Sequence, residues 1–390
     1  MNRVILLLLL GTLSCSKVEK PIQTISSKTS PVKETIIDSL NHPWSIAFLS
    51  EDEVLVSEKD GGLLKVNLIS KKKEIIKGFP KDLTDSLRVV YRGDNSGIFE
   101  VVLDPDFNSN KHIYLSYAAK QKGKGSATKV VRAVLENDSL INIKTLLEAG
   151  PFTREYFHYG GGMTFGSDHK LYITMGERLF KEIDEPKIPI AQDVTDKRGK
   201  VYRINSDGSI PKDNPDFGAT AIPGIYAAGI RAAQGITVQP ETGNIWFSEH
   251  GTRQGDEINL LTPGANYGWP IITTGGYRSR DYVPPRLEGV SFTDPVWYWK
   301  HTVAPTGLMF YTGDEFPEWK NDLLVPGLSG GSLWRFRIEN KSIKSAEELF
   351  VDDRVRSRKI AQSPNGKLYM LTDEDQGKIV RIKNSVTIHE

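Results

Sequence analysis

The sequence predicts an all-β fold, a six-bladed β-propeller of four-stranded antiparallel blades. Three observations lead there: a unit of three short apolar stretches joined by turns returns six times, those stretches are rich in Val, Ile, Leu, Tyr, Trp and Phe, and helical periodicity is nearly absent. β-branched and aromatic runs of four to six residues bounded by Gly, Pro, Asn and Asp read as strands. One small sheet cannot bury both faces, but six can by packing face to face in a ring. A β-sandwich would need more closely spaced strands without this long repeat.

The second stretch of each unit aligns most easily. It begins at Val54, Ile113, Leu171, Ile245, Leu323 and Leu368, about 45 to 78 residues apart. The third follows at Leu64, Val130, Val201, Ile258, Leu333 and Ile379. The first starts near Ser45, Phe99, Gly162, Gly235, Thr306 and Lys359. The wider spacings place long insertions in blades three to five. The run Lys71-Lys72-Lys73 reads as a solvated turn.

Composition bounds the rest. The 390 residues carry 50 Lys+Arg against 49 Asp+Glu, a net charge of +1 that gives no support to a phosphate-backbone binder. Hydrophobic residues are 38%, enough for a sizeable core, and the 35 Gly and 21 Pro punctuate many turns. The single cysteine, Cys15, excludes an internal disulfide and a cysteine-based zinc site. It follows Arg3, the apolar run Val4 to Leu10 and the approach Gly11-Thr12-Leu13-Ser14. That run is too short to span a bilayer and reads as a signal peptide. Thr12-Leu13-Ser14-Cys15 resembles a bacterial lipobox, with Thr12 where an aliphatic residue is usual. The expected organisation is a signal peptide over 1–14, a lipidated polar tether over 15–34 and the propeller over 35–390, at the periplasm or cell surface with a membrane contact only through Cys15.

In a propeller the loop entering each first strand opens on one face. Those loops hold His42-Pro43-Trp44, Asp94-Asn95, His158-Tyr159-Gly160, Arg231-Ala232-Ala233-Gln234, Lys300-His301-Thr302 and Arg356-Ser357-Arg358. Each is unremarkable alone: a histidine beside a tyrosine is commonly structural, and an arginine before a strand commonly pairs with a nearby carboxylate. Together Arg231, Arg356, Arg358 and Lys300 crowd cations into one hollow, which calls for carboxylates or a multiply anionic ligand. The stretch Glu249-His250-Gly251-Thr252 through Asp256-Glu257, then Asn266-Tyr267, offers carboxylates and freed backbone carbonyls. Its chemistry suits calcium as well as it suits a solvated acidic turn, and it lacks the spacing of an EF-hand.

These pieces together resemble the soluble PQQ-dependent sugar dehydrogenases, the glucose and aldose sugar dehydrogenase family. The similarity runs from His42 to Ile382 and rests on the stretches beginning at His158, Gly199, Gly229, Glu249, Asn266 and Thr302, in family order. It implies a PQQ- and Ca2+-dependent oxidation of the aldose C1 hydroxyl to a lactone, with electrons passed to an external acceptor. Within that resemblance His158 would be the general base and Arg231 would sit beside the quinone oxygen. Gln234, Thr302, Arg356 and Arg358 match cofactor positions. Carbonyls of Gly251 and Thr252 would hold a catalytic Ca2+, and Asp256, Glu257 and the Tyr267 carbonyl a structural one. Glu177 stands where the family has an aspartate facing the sugar.

The sequence also departs from the family pattern. Arg231-Ala232-Ala233-Gln234 replaces Arg-Asn-Pro-Gln, Asn95 replaces a glutamine near the reacting centre, and Ser329 replaces a lysine of the glucose-dehydrogenase branch. Lys300 replaces an aromatic and would restore the missing cation. Two other functions stand beside the dehydrogenase: a calcium-dependent lactonase, which needs several carboxylate or amide side chains on one axial ion, and a non-catalytic propeller that binds glycan or protein.

Overall fold

The computed structural model describes residues 29–59, 62–83 and 95–385. Cys15, the leader and most of the tether lie outside these residues, as does Asp94. Six four-stranded antiparallel sheets follow one another around an axis. Blade I is built from Pro43–Phe48, Glu53–Glu58, Gly62–Asn67 and Lys73–Ile75; blade II from Ile98–Leu103, His112–Gln121, Gly125–Glu136 and Ser139–Glu148. Blade III has Gly160–Phe165, Leu171–Met175, Lys200–Ile204 and Ile225–Ala228; blade IV has Ala233–Val238, Ile245–Glu249, Glu257–Leu260 and Trp297–Tyr298. Blade V comprises Met309–Phe310, Leu323–Pro326, Leu333–Glu339 and Ser342–Leu349. Blade VI takes Ser357–Gln362, Leu368–Thr372 and Gly377–Asn384 from the C-terminal part, and its outer strand is Pro31–Leu40 from the other end of the chain. That strand closes the ring by pairing Pro31 with Asn384 and Leu40 with Gly377.

The period-2 alternation explains how the blades pack. Leu55 and Leu63 of blade I join Ile98, Val101 and Leu115 of blade II in one buried cluster, while Val54 and Val56 on the opposite face join Tyr369, Leu371 and Ile379 of blade VI. Corresponding clusters join blades II and III, III and IV, IV and V, and V and VI. Each fully buried aliphatic side chain contributes about 1.5–3 kcal/mol, so the ring is held by its six inter-blade seams.

Hydroxyls stitch the inner edge. Ser57 Oγ donates to the Phe99 carbonyl at 2.8 Å, Thr174 Oγ1 to the Ala233 carbonyl at 3.0 Å and Ser248 Oγ to the Thr306 carbonyl at 2.8 Å. Ser116 Oγ makes the same link to the Gly161 carbonyl. Each hydroxyl lies on a second strand, at or near its end for Ser57, Thr174 and Ser248 and mid-strand for Ser116, and reaches the first strand of the next blade or the segment leading into it. The hydrogen bond offsets the cost of taking each buried hydroxyl out of water.

Two features differ from the sequence expectation. The wide spacing before blade V arises from the 261–296 connection, which lies inside blade IV between its third and fourth strands. Blade V itself is compact, because a repeat spacing measured between second strands counts an insertion that follows the earlier one. The first strand of blade V is also reduced to Met309–Phe310, with Pro305 and Gly307 held by isolated bridges.

Candidate active site

Inner strands begin at one face, and the loops before them meet there. His158 precedes the first strand of blade III with φ 49°, in the left-handed region that a histidine seldom adopts. Gly176 makes this possible: a Cβ on it would lie 1.9 Å from the His158 carbonyl oxygen. The side chain is fixed at both ring nitrogens. His158 Nδ1 lies 2.6 Å from Glu177 Oε1, and Arg231 NH2 lies 3.1 Å from Nε2. A guanidinium only donates, so Nε2 is the acceptor and Nδ1 carries the hydrogen given to Glu177. Glu177 accepts a second bond from the Leu179 N–H at 2.9 Å. Burial, with the nearby Arg231, His250 and Arg178, holds the imidazole well below its ordinary pKa. Burial raises the Glu177 carboxyl, and Arg231 opposes that rise.

Glu177 is 1% exposed and spends its oxygens on His158 and Leu179. The expected sugar-facing position is therefore corrected: this carboxylate stands behind the imidazole, because Gly176 turns the chain back beneath it.

Arg231 is buried, with NH1 donating to the His250 and Gly251 carbonyls at 3.1 and 2.7 Å. Its guanidinium lies 5.1 Å from the Trp269 ring centroid. Glu249, at the end of the second strand of blade IV, accepts the backbone N–H groups of Arg231 and Ala232.

On the other side of the mouth, Arg356 and Arg358 share one carboxylate. Asp373 Oδ2 accepts Arg356 NH2 at 2.9 Å and Arg358 NH2 at 2.8 Å, while Oδ1 lies 3.3 Å from His42 Nδ1. Arg358 lies over the Trp44 ring at 3.9 Å and is buried, whereas half of the Arg356 side chain is exposed. The buried Nε of Arg358 has no hydrogen-bond partner. The axial cavity between the two sides is about 240 Å3 and is bordered by Asn95, His158, Gln234, Arg356 and Arg358 among others. Five of the expected site residues thus border one cavity, with Arg231 bonded to His158 Nε2 from the adjoining hole.

Thr302 and Lys300 do not join that wall. Both are exposed, and Thr302 Oγ1 donates to the Arg253 carbonyl. They are close in sequence to the first strand of blade V but lie on a surface turn.

The expected metal residues divide. The Gly251 carbonyl accepts Arg231, and the Thr252 carbonyl accepts Arg278 NH2 at 3.1 Å. Asp256 is a loop anchor: Oδ1 accepts the Gly251 N–H at 2.8 Å, and Oδ2 accepts those of Val303 and Ala304, each at 2.7 Å. Glu257 pairs across the sheet with Glu249, and the two line a hole of about 20 Å3 together with Gly251 and Tyr267. Burial and the neighbouring Glu257 push Glu249 up to about 8, and burial with Asp256 and Asp294 nearby raises Glu257. A buried carboxylate, Glu249, and a half-buried one, Glu257, beside a small hole are donors of the kind a hard cation takes. Asp373 has no role in the sequence reading, and Glu249 appears there only as part of an acidic stretch.

Comparison with known proteins follows the same fold and order of elements. The family model described as glucose/sorbosone dehydrogenase matches residues 40–381. Aldose sugar dehydrogenase YliI of Escherichia coli is 32% identical over 90% of this chain and 92% of its own. Quinoprotein glucose dehydrogenase B of Acinetobacter calcoaceticus is 28% identical over 91% of this chain and 88% of its own. A solved glucose dehydrogenase structure superposes with a TM-score of 0.81 at 33% identity, covering 91% of this chain and all of that one.

Proposed function

Because the chain belongs to the glucose/sorbosone dehydrogenase family, we propose that it is a PQQ- and Ca2+-dependent oxidoreductase that converts the C1 hydroxyl of aldoses to lactones and passes electrons to an external acceptor. The observation that carries this reading is a neutral, tautomer-fixed imidazole bordering the same cavity as a buried arginine with an unpaired Nε. Such a guanidinium suits a carboxylated planar ligand, and the name of the Acinetobacter relative specifies a quinone.

When bound, the quinone supplies the two-electron acceptor for the hydride leaving C1. The residues of this chain supply the rest. His158 Nε2, which accepts Arg231 NH2 here, takes the C1 hydroxyl proton once the sugar hydroxyl replaces that donor, and Glu177 holds the ring and favours the imidazolium that results. Arg231 places fixed positive charge beside the base and would favour negative charge on the acceptor. Arg358 and Arg356 would hold the cofactor's carboxylates, and Gln234 and Asn95 offer amides at the cavity wall. The Gly251 and Thr252 carbonyls retain acceptor capacity and would hold one Ca2+ as a Lewis acid; Glu257 and Glu249 with the Tyr267 carbonyl would hold another.

The lipid anchor at Cys15 is part of the same proposal and rests on the leader and lipobox-like residues before it. Mass added at Cys15 after expression with the native leader tests the anchor and, with it, the proposed periplasmic or surface location.

The activity test is reconstitution of the apoprotein with PQQ and CaCl2, followed by dye reduction over a panel of aldoses. Sugar-dependent bleaching that needs both additions is expected. Tight PQQ uptake without turnover on any sugar would overturn the reading.

A further inference from the structure

We propose that Arg178 is a positioning residue for the base, a buried clamp that fixes the loop delivering His158. The proposal rests on the dehydrogenase reading above, and it concerns a residue that no expected site includes.

Arg178 follows Glu177 directly and is 2% exposed, with φ 71° in the left-handed region. A buried guanidinium in that conformation is retained only where its surroundings hold it strongly. Here it gathers oxygens from two segments. NH1 donates to the Phe157 carbonyl, the residue before His158, and NH2 donates to the Glu155 carbonyl. NH2 also lies 3.0 Å from Ser126 Oγ, 3.5 Å from the Ser126 carbonyl and 3.5 Å from Thr153 Oγ1. The guanidinium carbon sits 3.5 Å from the Tyr159 ring centroid, and the Tyr159 hydroxyl meets Ser126 Oγ at 2.7 Å. Residues on both sides of His158 are therefore held by one side chain.

The dipeptide Glu177-Arg178 divides the work. Glu177 grips the imidazole at Nδ1, while Arg178 grips the backbone that carries it. Tyr159 continues the arrangement: it packs on Phe99 at 5.0 Å, Phe99 packs on Trp44 at 5.1 Å, and Arg358 caps Trp44. The base loop and the anion-holding arginine thus rest against a shared aromatic row. Arg178 also adds positive charge beside the imidazole; the other charged or titratable groups acting there are Glu177, Arg231 and His250.

The test compares wild type, Arg178→Gln and Arg178→Lys as full chains. The readouts are kcat, KM and PQQ affinity, with the His158 titration followed by NMR of the histidine-labelled apoprotein, its signal assigned by His158→Gln. Arg178→Gln is expected to lower kcat about 10- to 100-fold while sugar KM and PQQ affinity stay within about threefold. The His158 midpoint should move to higher pH, because a nearby cation has been removed. Arg178→Lys should return the midpoint toward wild type and restore kcat only in part, since an ammonium neither stacks on Tyr159 nor spans the same acceptors. An unmoved midpoint, or kcat within about threefold of wild type in Arg178→Gln, overturns the proposal. If Arg178→Gln does not fold, Arg178→Lys and Ser126→Ala decide, and wild-type kcat in both overturns it. If wild type oxidises no sugar, the function reading fails while the NMR midpoint still judges the role of Arg178.

Discussion

His158 and Arg358 both border the axial cavity, yet the fold treats their charges in opposite ways. Around His158 it assembles Arg231, Arg178 and His250 in a buried pocket, so the imidazole stays neutral and able to accept a proton. Around Arg358 it supplies Asp373, which also takes Arg356 and His42, so two arginines can stand side by side. The blade III and IV side is therefore suited to moving a proton, and the blade VI side to holding an anion. The two tasks need opposite electrostatics, and placing them on different blades lets each loop be tuned alone.

The largest expected effect comes from removing the base. His158→Ala should lower kcat by roughly a thousandfold, within the span general-base removal produces, while PQQ affinity measured by absorbance titration changes little. Comparable loss of affinity and kcat would erase the division between the two sides. Arg358→Ala should do the reverse. Losing a buried charge-assisted contact of about 1.5–3 kcal/mol weakens PQQ binding roughly 10- to 100-fold, with kcat at saturation nearly preserved.

Much of this division was legible in the sequence. The repeat located every first strand to within a few residues, and a histidine or arginine before a first strand had only one mouth to enter. His158, Gln234, Asn95, Arg356 and Arg358 gather for that reason. The counter-charges were harder, because the facing direction of a residue just past a strand depends on the turn that follows. Even so, the signal was present: Glu58, Glu177, Glu249 and Asp373 each lie at or just beyond the mouth end of a second strand. All four bond the chain around the start of their own blade's first strand, at Asn41, His158, Arg231 and Arg356 respectively. Spacing alone could not assign the 261–296 insertion to blade IV, and proximity in sequence could not show that Lys300 and Thr302 lie on an exposed turn.

The depressed His158 pKa sets the direction of the pH dependence. The imidazole works as a base only when neutral, and burial with nearby cations keeps it neutral below its ordinary value of 6.5. As pH falls through 6.5, kcat at saturating PQQ and sugar should stay on its plateau and drop only at lower pH. A free histidine would already be half protonated near pH 6.5. A half-loss of kcat at or above that pH would show that the blade III pocket does not shield its base as the comparison requires.

The smallest effect sharpens the comparison from the other side. Glu58 occupies in blade I the place that Glu177 holds in blade III, but there it accepts a backbone group, the Asn41 N–H at 2.7 Å, where Glu177 grips an imidazole. Glu58→Gln keeps an acceptor oxygen and removes the charge, so denaturant unfolding should show a loss of about 1 kcal/mol or less, with kcat, KM and PQQ affinity unchanged. Glu177→Gln, the same chemical change at the equivalent place, should lower kcat because it loosens His158 Nδ1. Equal kinetic effects at the two positions would mean that the acidic place after each second strand serves the ring as a whole; unequal effects would show that the fold repeats one strut in several blades and gives it catalytic consequence where the residue it holds is a base.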